Sequence, residues 1–588
     1  MRGNPIPAGV SPYPNLYMRQ RGSYGGPHLA EGASGSAPTR HKIIQTPLQG
    51  RDDSEPDRGE GQRERIFSVH TGFTPAFVLG RCSRARCVDC PQHGPFREER
   101  LRPYQSNSPE VLSLIPDYCD NYDTLITLTH VCHGWRELFI SRSSLWASLD
   151  CTNVEKTRVY IERSKSSPLE ISLLEKHHGS AYCDEALLLA APHINRLSSL
   201  DVYGPSHILA DLNKYFTCPT PLLRKLKIDL AFDHSPAPSF PGTLFNGDLS
   251  SLRKLCLAGF TTNLPWRNLV NLTTFELHHS SGTVDPPFVT RLLDFFESTP
   301  LLSKIELCHS IPASSNVPPE RLVSLPHLKK FSTTSRLAQS TLLNHLSVPN
   351  GALLVIAFTF SGENSPIPTN LPKDLSNLNN LSHVTAMNLS FHQAEKLVRL
   401  GGPSGGLYIY GTWTAGGTSS HALESRIFYS LDRFNLSRIQ SLAVTKYTSS
   451  PSNEVEKSPI FRSLFQMNDL RTLTLIECNN LSFIYSLNPE KNESDSVLCP
   501  NLEEVVIYFK KRDRFCLEEL MEMALERDER RMKLQSVTIV SIDEMCSKKE
   551  VFKLRRYVSH VKYKLDVVSP EWDAISGDED SSGDESDW

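Results

Sequence analysis

Leu223-Arg224-Lys225-Leu226-Lys227-Ile228 and Leu252-Arg253-Lys254-Leu255-Cys256-Leu257 are two copies of one pattern, apolar at the first, fourth and sixth positions. The last three positions alternate apolar, variable, apolar, which is the period of a strand with one buried face. The pattern returns at Leu197-Leu200-Val202, Leu272-Phe275-Leu277, Leu302-Ile305-Leu307, Leu328-Phe331 and Leu353-Ile356-Phe358. It continues at Val384-Met387-Leu389, Ile439-Leu442-Val444, Leu470-Leu473-Leu475, Leu502-Val505-Ile507, Leu534-Val537-Ile539 and Val558-Val561-Tyr563. Most starts fall 20 to 32 residues apart, and the long gap from Val384 to Ile439 holds another strand-like run, Leu407-Tyr408-Ile409-Tyr410. Helix-like pieces, Phe288 to Ser298 and Leu517 to Leu525, lie between strands. A unit this small cannot bury its own apolar face; stacking on its neighbours closes the core. The expectation is an α/β solenoid over residues 195–565.

This spacing resembles the leucine-rich repeat. The resemblance implies a horseshoe with strands on its concave face and helices on its convex side. The Asn or Cys that usually follows the strand is not regular here, although Cys308 and Cys478 fall close to it. Unrelated α/β domains with coincidental strands are the other reading, and a dozen in-register copies weigh against it. Variable positions of each strand point away from the core. Contacts to a target protein are therefore expected from Lys225, Lys227, Lys254, Glu276, Glu306, Thr474 and Glu504. Their mixed charge leaves the chemistry of that target open.

Upstream, residues 109–149 read PEVLSLIPDYCDNYDTLITLTHVCHGWRELFISRSSLWASL. Leu125, Leu128, Val131, Cys132, Trp135, Leu138 and Phe139 recur three or four residues apart and share one helical face. About forty residues of helix make too small a core to stand alone. These residues resemble the F-box: Pro109-Glu110-Val111-Leu112 with Ile115, then Leu128 to Leu138, then Ser144-Leu145-Trp146. Tyr160 to Ser164 followed by Pro168 to Leu173 is similar to the segment between box and repeats in many fungal F-box proteins. Ser108 and Pro116 depart from the family pattern, and a proline inside a helix costs about 3 kcal/mol, so the first helix is expected to be short. The resemblance implies docking on a Skp-type adaptor within a cullin complex through Pro109, Leu112, Ile115, Leu128, Val131, Trp135, Leu145 and Trp146. It makes the chain the substrate receptor of a cullin–RING (SCF-type) ubiquitin ligase. Three alternatives stay open: a helical hairpin that only caps the repeats, a repeat scaffold that binds a partner without any ligase, and an enzyme whose active site is built in the repeat loops, for which no residue constellation argues.

Composition bounds the rest. The chain has 588 residues, with 62 Lys+Arg against 66 Asp+Glu. The last sixteen residues hold seven acidic side chains and no basic ones, so without them the formal charge moves from −4 to +3. Neither value suggests nucleic-acid binding through bulk charge. No apolar run approaches the roughly 20 residues needed to span a bilayer, and the N-terminus lacks the apolar stretch of a signal peptide. A cytoplasmic or nuclear chain with its 14 cysteines reduced is expected. Cys132, Cys256, Cys308 and Cys478 read as small core hydrophobes.

Residues 1–100 lack a sustained apolar period and are expected to be mostly disordered. Within them Cys82, Cys87, Cys90 and His93 offer thiolates and an imidazole at spacing C-x4-C-x2-C-x2-H, tighter than common zinc modules. A cysteine cluster in a disordered arm is the plainer interpretation. The domain plan is thus an arm at 1–100, a helical box at 101–150, a linker or cap at 151–194, repeats at 195–565 and an acidic tail at 566–588. Gly401-Gly402-Pro403-Ser404-Gly405-Gly406 precedes a strand-like run and is followed by no Gly-Lys-Ser/Thr, so it reads as a repeat loop and not a phosphate loop. No nucleophile elbow, zinc-protease helix or kinase signature is present. The expectation is a binding protein without cofactor, not an enzyme.

Overall fold

The computed structural model describes residues 122–565 apart from 175–183, 232–237, 261–268, 280–287, 309–316, 319, 336–339, 361–370, 373, 393–394, 403–404, 414–430, 432–433, 448–458, 492–496, 510–513 and 542–547. The expectations for the arm, the acidic tail and the first box helix lie outside these residues.

The repeat strands form one 17-stranded sheet. Strands β1 (Ser148–Leu149), β2 (Leu169–Leu174), β3 (Leu197–Gly204), β4 (Lys225–Leu230), β5 (Lys254–Phe260), β6 (Thr274–His279) and β7 (Lys304–Cys308) follow one another in chain order, all parallel. After a small parallel pair, β8 (Val323–Ser324) with β10 (Leu346–Ser347), come β9 (Lys330–Ser335) and β11 (Leu353–Phe360), again parallel. Further on, β15 (Ser441–Thr445), β16 (Thr472–Ile476), β17 (Glu504–Phe509), β18 (Ser536–Ser541) and β19 (His560–Leu565) resume the parallel ladder. The mixed α/β class with a long parallel sheet matches the expectation from the repeats.

Register explains why. Leu226, Leu255, Phe275, Ile305 and Phe331 lie side by side in one row. Ile228, Leu257, Leu277 and Leu307 form the next row on the same face, and none of the nine is more than 2% exposed. Each such side chain stabilises the fold by about 1.5–3 kcal/mol when fully buried. A second device recurs below the strands. The carbonyl of Arg224 accepts from both Arg253 and Lys254; Arg253 does the same for Thr273 and Thr274, and Thr273 for Ser303 and Lys304. The first Leu of several copies closes a turn just before this point, as in Leu252 N–H to Leu249 O at 3.1 Å and Leu272 N–H to Leu269 O at 3.0 Å. Each rung is thereby locked to the one before it through backbone, whatever its variable residues are.

Helices α1 (Tyr122–Leu128), α2 (His133–Ser141), α3 (Val154–Ser164), α4 (Asp184–Ala190), α5 (Ile208–Tyr215), α6 (Phe288–Ser298) and α7 (Ser340–Leu343) belong to the N-terminal half. In the C-terminal half are α8 (Pro459–Gln466), α9 (Asn480–Leu487), α10 (Arg514–Glu529) and α11 (Lys548–Leu554). The two expected helices are present as α6 and within α10. On α6, Phe288, Val289, Leu292, Leu293, Phe295 and Phe296 are buried, and the Phe295 ring lies 4.8 Å from that of Phe275 on β6. Helical and strand periods thus meet in one core.

Two features depart from the sequence reading. First, the ladder begins at Ser148, because the segment 151–194 holds β2, in register with β3. Pro168 precedes β2 in place of the usual Leu-x-x lead, but Leu169, Ile171 and Leu173 alternate inward regardless. Second, the long gap is an inversion. Strand β11 pairs with β14 (Gly405–Trp413), which runs antiparallel to β13 (Glu395–Gly402); β13 runs antiparallel to β12 (Ala386–Phe391), and β12 pairs with β15. The chain therefore leaves two places open after β11, turns back through β13 and fills them. The glycine-rich run, read as a loop, is the β13–β14 hairpin. A Cβ on Gly402 would lie 2.4 Å from the His383 carbonyl, and one on Gly405 2.4 Å from that of Asn350. Only glycine lets the hairpin sit this close to neighbouring backbone.

Candidate functional site

Two surfaces are candidates: the helical segment before the sheet, and the sheet face opposite the core. In the first, α1 ends in a turn held by Thr129 Oγ1, which donates to the Ile126 carbonyl at 2.7 Å. Arg136 Nε of α2 then donates to the Thr129 carbonyl at 3.0 Å, fixing the angle between the helices. Trp135 meets Phe139 edge to face at 5.6 Å. A 3-10 turn, Ser143–Trp146, carries the chain into β1.

That turn places Trp146 inside. It is 0% exposed, its indole N–H donates to the Phe139 carbonyl at 2.9 Å, and its ring meets Tyr160 of α3 edge to face at 5.0 Å. The Arg163 guanidinium covers the indole 4.3 Å from its centre. As an adaptor contact Trp146 is corrected: it is a core residue that seats the helices on the start of the sheet. Leu128, Trp135 and Leu145 are half-buried against the same core, while Val131 is 54% and Ile126 36% exposed. Pro109, Leu112 and Ile115 lie outside the described residues, as do Cys82, Cys87, Cys90 and His93. Cys132 is exposed at the N-cap of α2 and is not a core residue.

On the sheet, the variable positions align across strands. Lys225 of β4 and Lys254 of β5 share a row that continues through Thr274, Lys304 and Lys330. Asp201, Lys227, Cys256, Glu276, Glu306 and Ser332 form the next row, and Asp229, Ala258, His278, Cys308 and Thr334 the third. The sheet brings five expected target-contact residues together on β4 to β7. Thr474 and Glu504 lie on β16 and β17, beyond the inverted strands.

Four of the five, Lys227, Lys254, Glu276 and Glu306, are already paired. Lys304 Nζ is 2.8 Å from Glu276 Oε1 and 3.5 Å from Glu306 Oε2, and Lys254 Nζ is 3.6 Å from Glu276 Oε1. Lys227 Nζ lies 3.9 Å from Asp201 Oδ1. Burial pushes the Glu276 carboxyl up, but Lys304, Lys254 and the Cys256 thiol outweigh it and hold it below the usual range. Burial pulls the Lys304 ammonium down, and Glu276 and Glu306 more than restore it. Burial raises Asp229.

Sequence reasoning missed the cysteines here. Cys256 stands between Leu255 and Leu257, and Cys308 follows Leu307, so strand alternation itself puts both thiols on the face opposite the core; the apolar neighbours misled. Each is only 5% exposed. Burial and then the neighbouring carboxylate push both thiols up, Cys308 to about 12. Two sets of three ligand-type side chains meet on this face, Cys256 with Glu276 and His278, and His278 with Glu306 and Cys308. In each set the ligand atoms lie within 4.8 Å of one another. Cys478 differs: half-buried, it donates from Sγ to the Val444 carbonyl of the preceding rung at 3.1 Å, a structural link between turns.

No protein-family model and no curated protein matches the chain. Among solved structures, the crystal structure of a TLR13–ssRNA13 complex is similar at 14% identity and a TM-score of 0.25. The match covers 62% of this chain and 48% of that one, so the chain spans about half the length of that neighbour. A likeness of this size decides neither fold nor function. Among the described residues no helix is long and apolar enough to cross a membrane.

Proposed function

We propose that the chain is a protein-binding receptor in which residues 109–149 dock on a Skp-type adaptor and the open sheet face holds a target for a cullin–RING ubiquitin ligase. The observation that carries this reading is the division of labour in 122–149. Trp146 and Phe139 are spent on the chain's own core, while Val131 and Ile126 stay exposed beside half-buried Trp135 and Leu128. Apolar side chains kept in water at the end of a helical module, next to partly open aromatic surface, suit a desolvated protein contact. In this reading the chain makes and breaks no covalent bond. It raises the local concentration of target lysines near the transfer subunit.

The charged rows on β4 to β7 would supply target specificity, since interlocked lysines and glutamates favour partners that match their pattern. The test is adaptor capture by the full chain, comparing wild type with Val131→Asp and Trp135→Ala. Capture by wild type and loss in Val131→Asp, with unchanged thermal unfolding, is the expected result. A well-folded wild type that captures no adaptor removes the ligase reading and leaves a repeat scaffold that binds partners through the same face.

A further inference from the structure

We infer that His278, Glu306 and Cys308, on adjacent strands β6 and β7, form a binding site for a divalent cation of the zinc class. Three facts of placement carry this. His278 and Cys308 are direct register partners across the two strands, and Glu306 precedes Cys308 by two residues on the same face. Their ligand atoms lie within 4.8 Å of one another. Zinc–ligand bonds of about 2.0–2.3 Å bring tetrahedral ligand atoms to roughly 3.3–3.8 Å apart, so small side-chain rotations close the gap. Cys308 Sγ already stands 4.0 Å from Glu306 Oε1.

The donor set is selective. A thiolate, an imidazole and a carboxylate suit a borderline cation such as zinc, whereas calcium and magnesium take oxygen donors. Backbone hydrogen bonds on both flanks hold these ligands on a rigid ladder, so little order must be gained on binding. Three protein ligands leave a fourth tetrahedral position for water or for a donor atom of a bound partner.

A second set, Cys256 with Glu276 and His278, competes for the same imidazole. There the carboxylate is held by two lysines, Lys304 at 2.8 Å and Lys254 at 3.6 Å. Glu306 has Lys304 at 3.5 Å. Ligation through Glu306 disturbs the weaker ion pair, and we therefore assign the site to the Cys308 side. The inference is independent of adaptor binding.

The test uses the full chain with Cys82, Cys87 and Cys90 replaced by Ser, which removes the other thiol cluster. Cobalt(II) added to this protein should give thiolate-to-metal absorption at one equivalent per chain, displaced by zinc. His278→Asn should weaken zinc binding by at least about 100-fold, the upper end of what loss of a supporting residue alone costs. Cys308→Ser should abolish the thiolate absorption and Cys256→Ser should leave it. Should Cys308→Ser fail to fold, X-ray absorption of the zinc-loaded Cys256→Ser protein gives the same answer: one sulfur ligand at about 2.3 Å should remain. Absence of thiolate absorption, binding unaffected by His278→Asn, loss in Cys256→Ser alone, or no sulfur ligand in zinc-loaded Cys256→Ser each overturns the assignment.

Discussion

The indole N–H of Trp146 donates to the carbonyl of Phe139 at 2.9 Å, tying the 3-10 turn that enters the sheet back to the last turn of α2. The same ring is closed over by Tyr160 and Arg163 of α3. One side chain thus joins the helical module to the first rung. Trp146→Ala removes a fully buried indole and should cost about 3–5 kcal/mol. Hydrogen exchange should show opening of residues 122–164 ahead of the repeats beyond β4. Uniform loss of protection along the whole chain would show instead that the module has no separate stability.

Val131 is the converse case, exposed and outside the core. Val131→Asp should change stability by no more than about 0.5 kcal/mol while removing adaptor capture. A variant that still captures adaptor as wild type does would move the docking surface away from the α1–α2 turn.

Asp150, just after β1, meets Lys156 of α3 at 2.7 Å. Burial pushes the Asp150 carboxyl up, and Lys156 with the Thr152 amide and hydroxyl outweighs it, leaving it below its ordinary value of 3.8. A carboxyl depressed on folding contributes stability that is complete above its unfolded value and is lost as pH falls through the folded one. Lys156→Met should therefore lower stability at pH 7 by up to about 1 kcal/mol. Urea unfolding of the two proteins should converge as pH drops below 3.8, the ordinary value. A gap that stays constant to lower pH would mean that lost packing, and not charge, accounts for it.

The β13–β14 hairpin offers an internal control. A Cβ on Gly405 would meet two carbonyls, Asn350 at 2.4 Å and Ala352 at 2.7 Å, whereas a Cβ on Gly401 meets nothing within 4 Å. Gly405→Ala should cost about 1–3 kcal/mol, and Gly401→Ala should stay within about 0.5 kcal/mol. Equal thermal shifts for both would contradict the packing of the hairpin against the turn before β11.

Arg527 of α10 is 0% exposed and donates to the carbonyls of Leu487, Leu498 and Cys499 at 3.5, 3.2 and 2.7 Å. It ties two chain segments, the end of α9 at Leu487 and the adjacent pair Leu498-Cys499, to α10. Arg527→Ala leaves a cavity and unsatisfied carbonyls and should cost about 3 kcal/mol or more. Arg527→Met keeps the volume and removes the buried charge, so denaturant midpoints should rank wild type, then Met, then Ala. An Ala variant as stable as Met would show that the guanidinium contacts, not the volume, carry the effect.

The apolar rows were legible from the chain alone, because a period of two residues decides which side chains face inward. It assigns Leu226 and Ile228, like Leu255 and Leu257, to the buried face of their strands. The same alternation marked Lys254 and Glu276 as outward-facing, and equally Cys256, whose apolar neighbours disguised it. Alternation does not encode direction, so the antiparallel course of β13 and the strand order around it were not legible. Those depend on which edge a strand pairs with. Nor did helical spacing reveal that Trp146 turns inward, since the 3-10 turn that aims it lies outside the helix whose period was read. His278 and Cys308 stand thirty residues apart in the chain. Strand register, set by backbone hydrogen bonds between rungs, makes them neighbours. Local periodicity determined what is buried; long-range pairing decided what meets on the face left open.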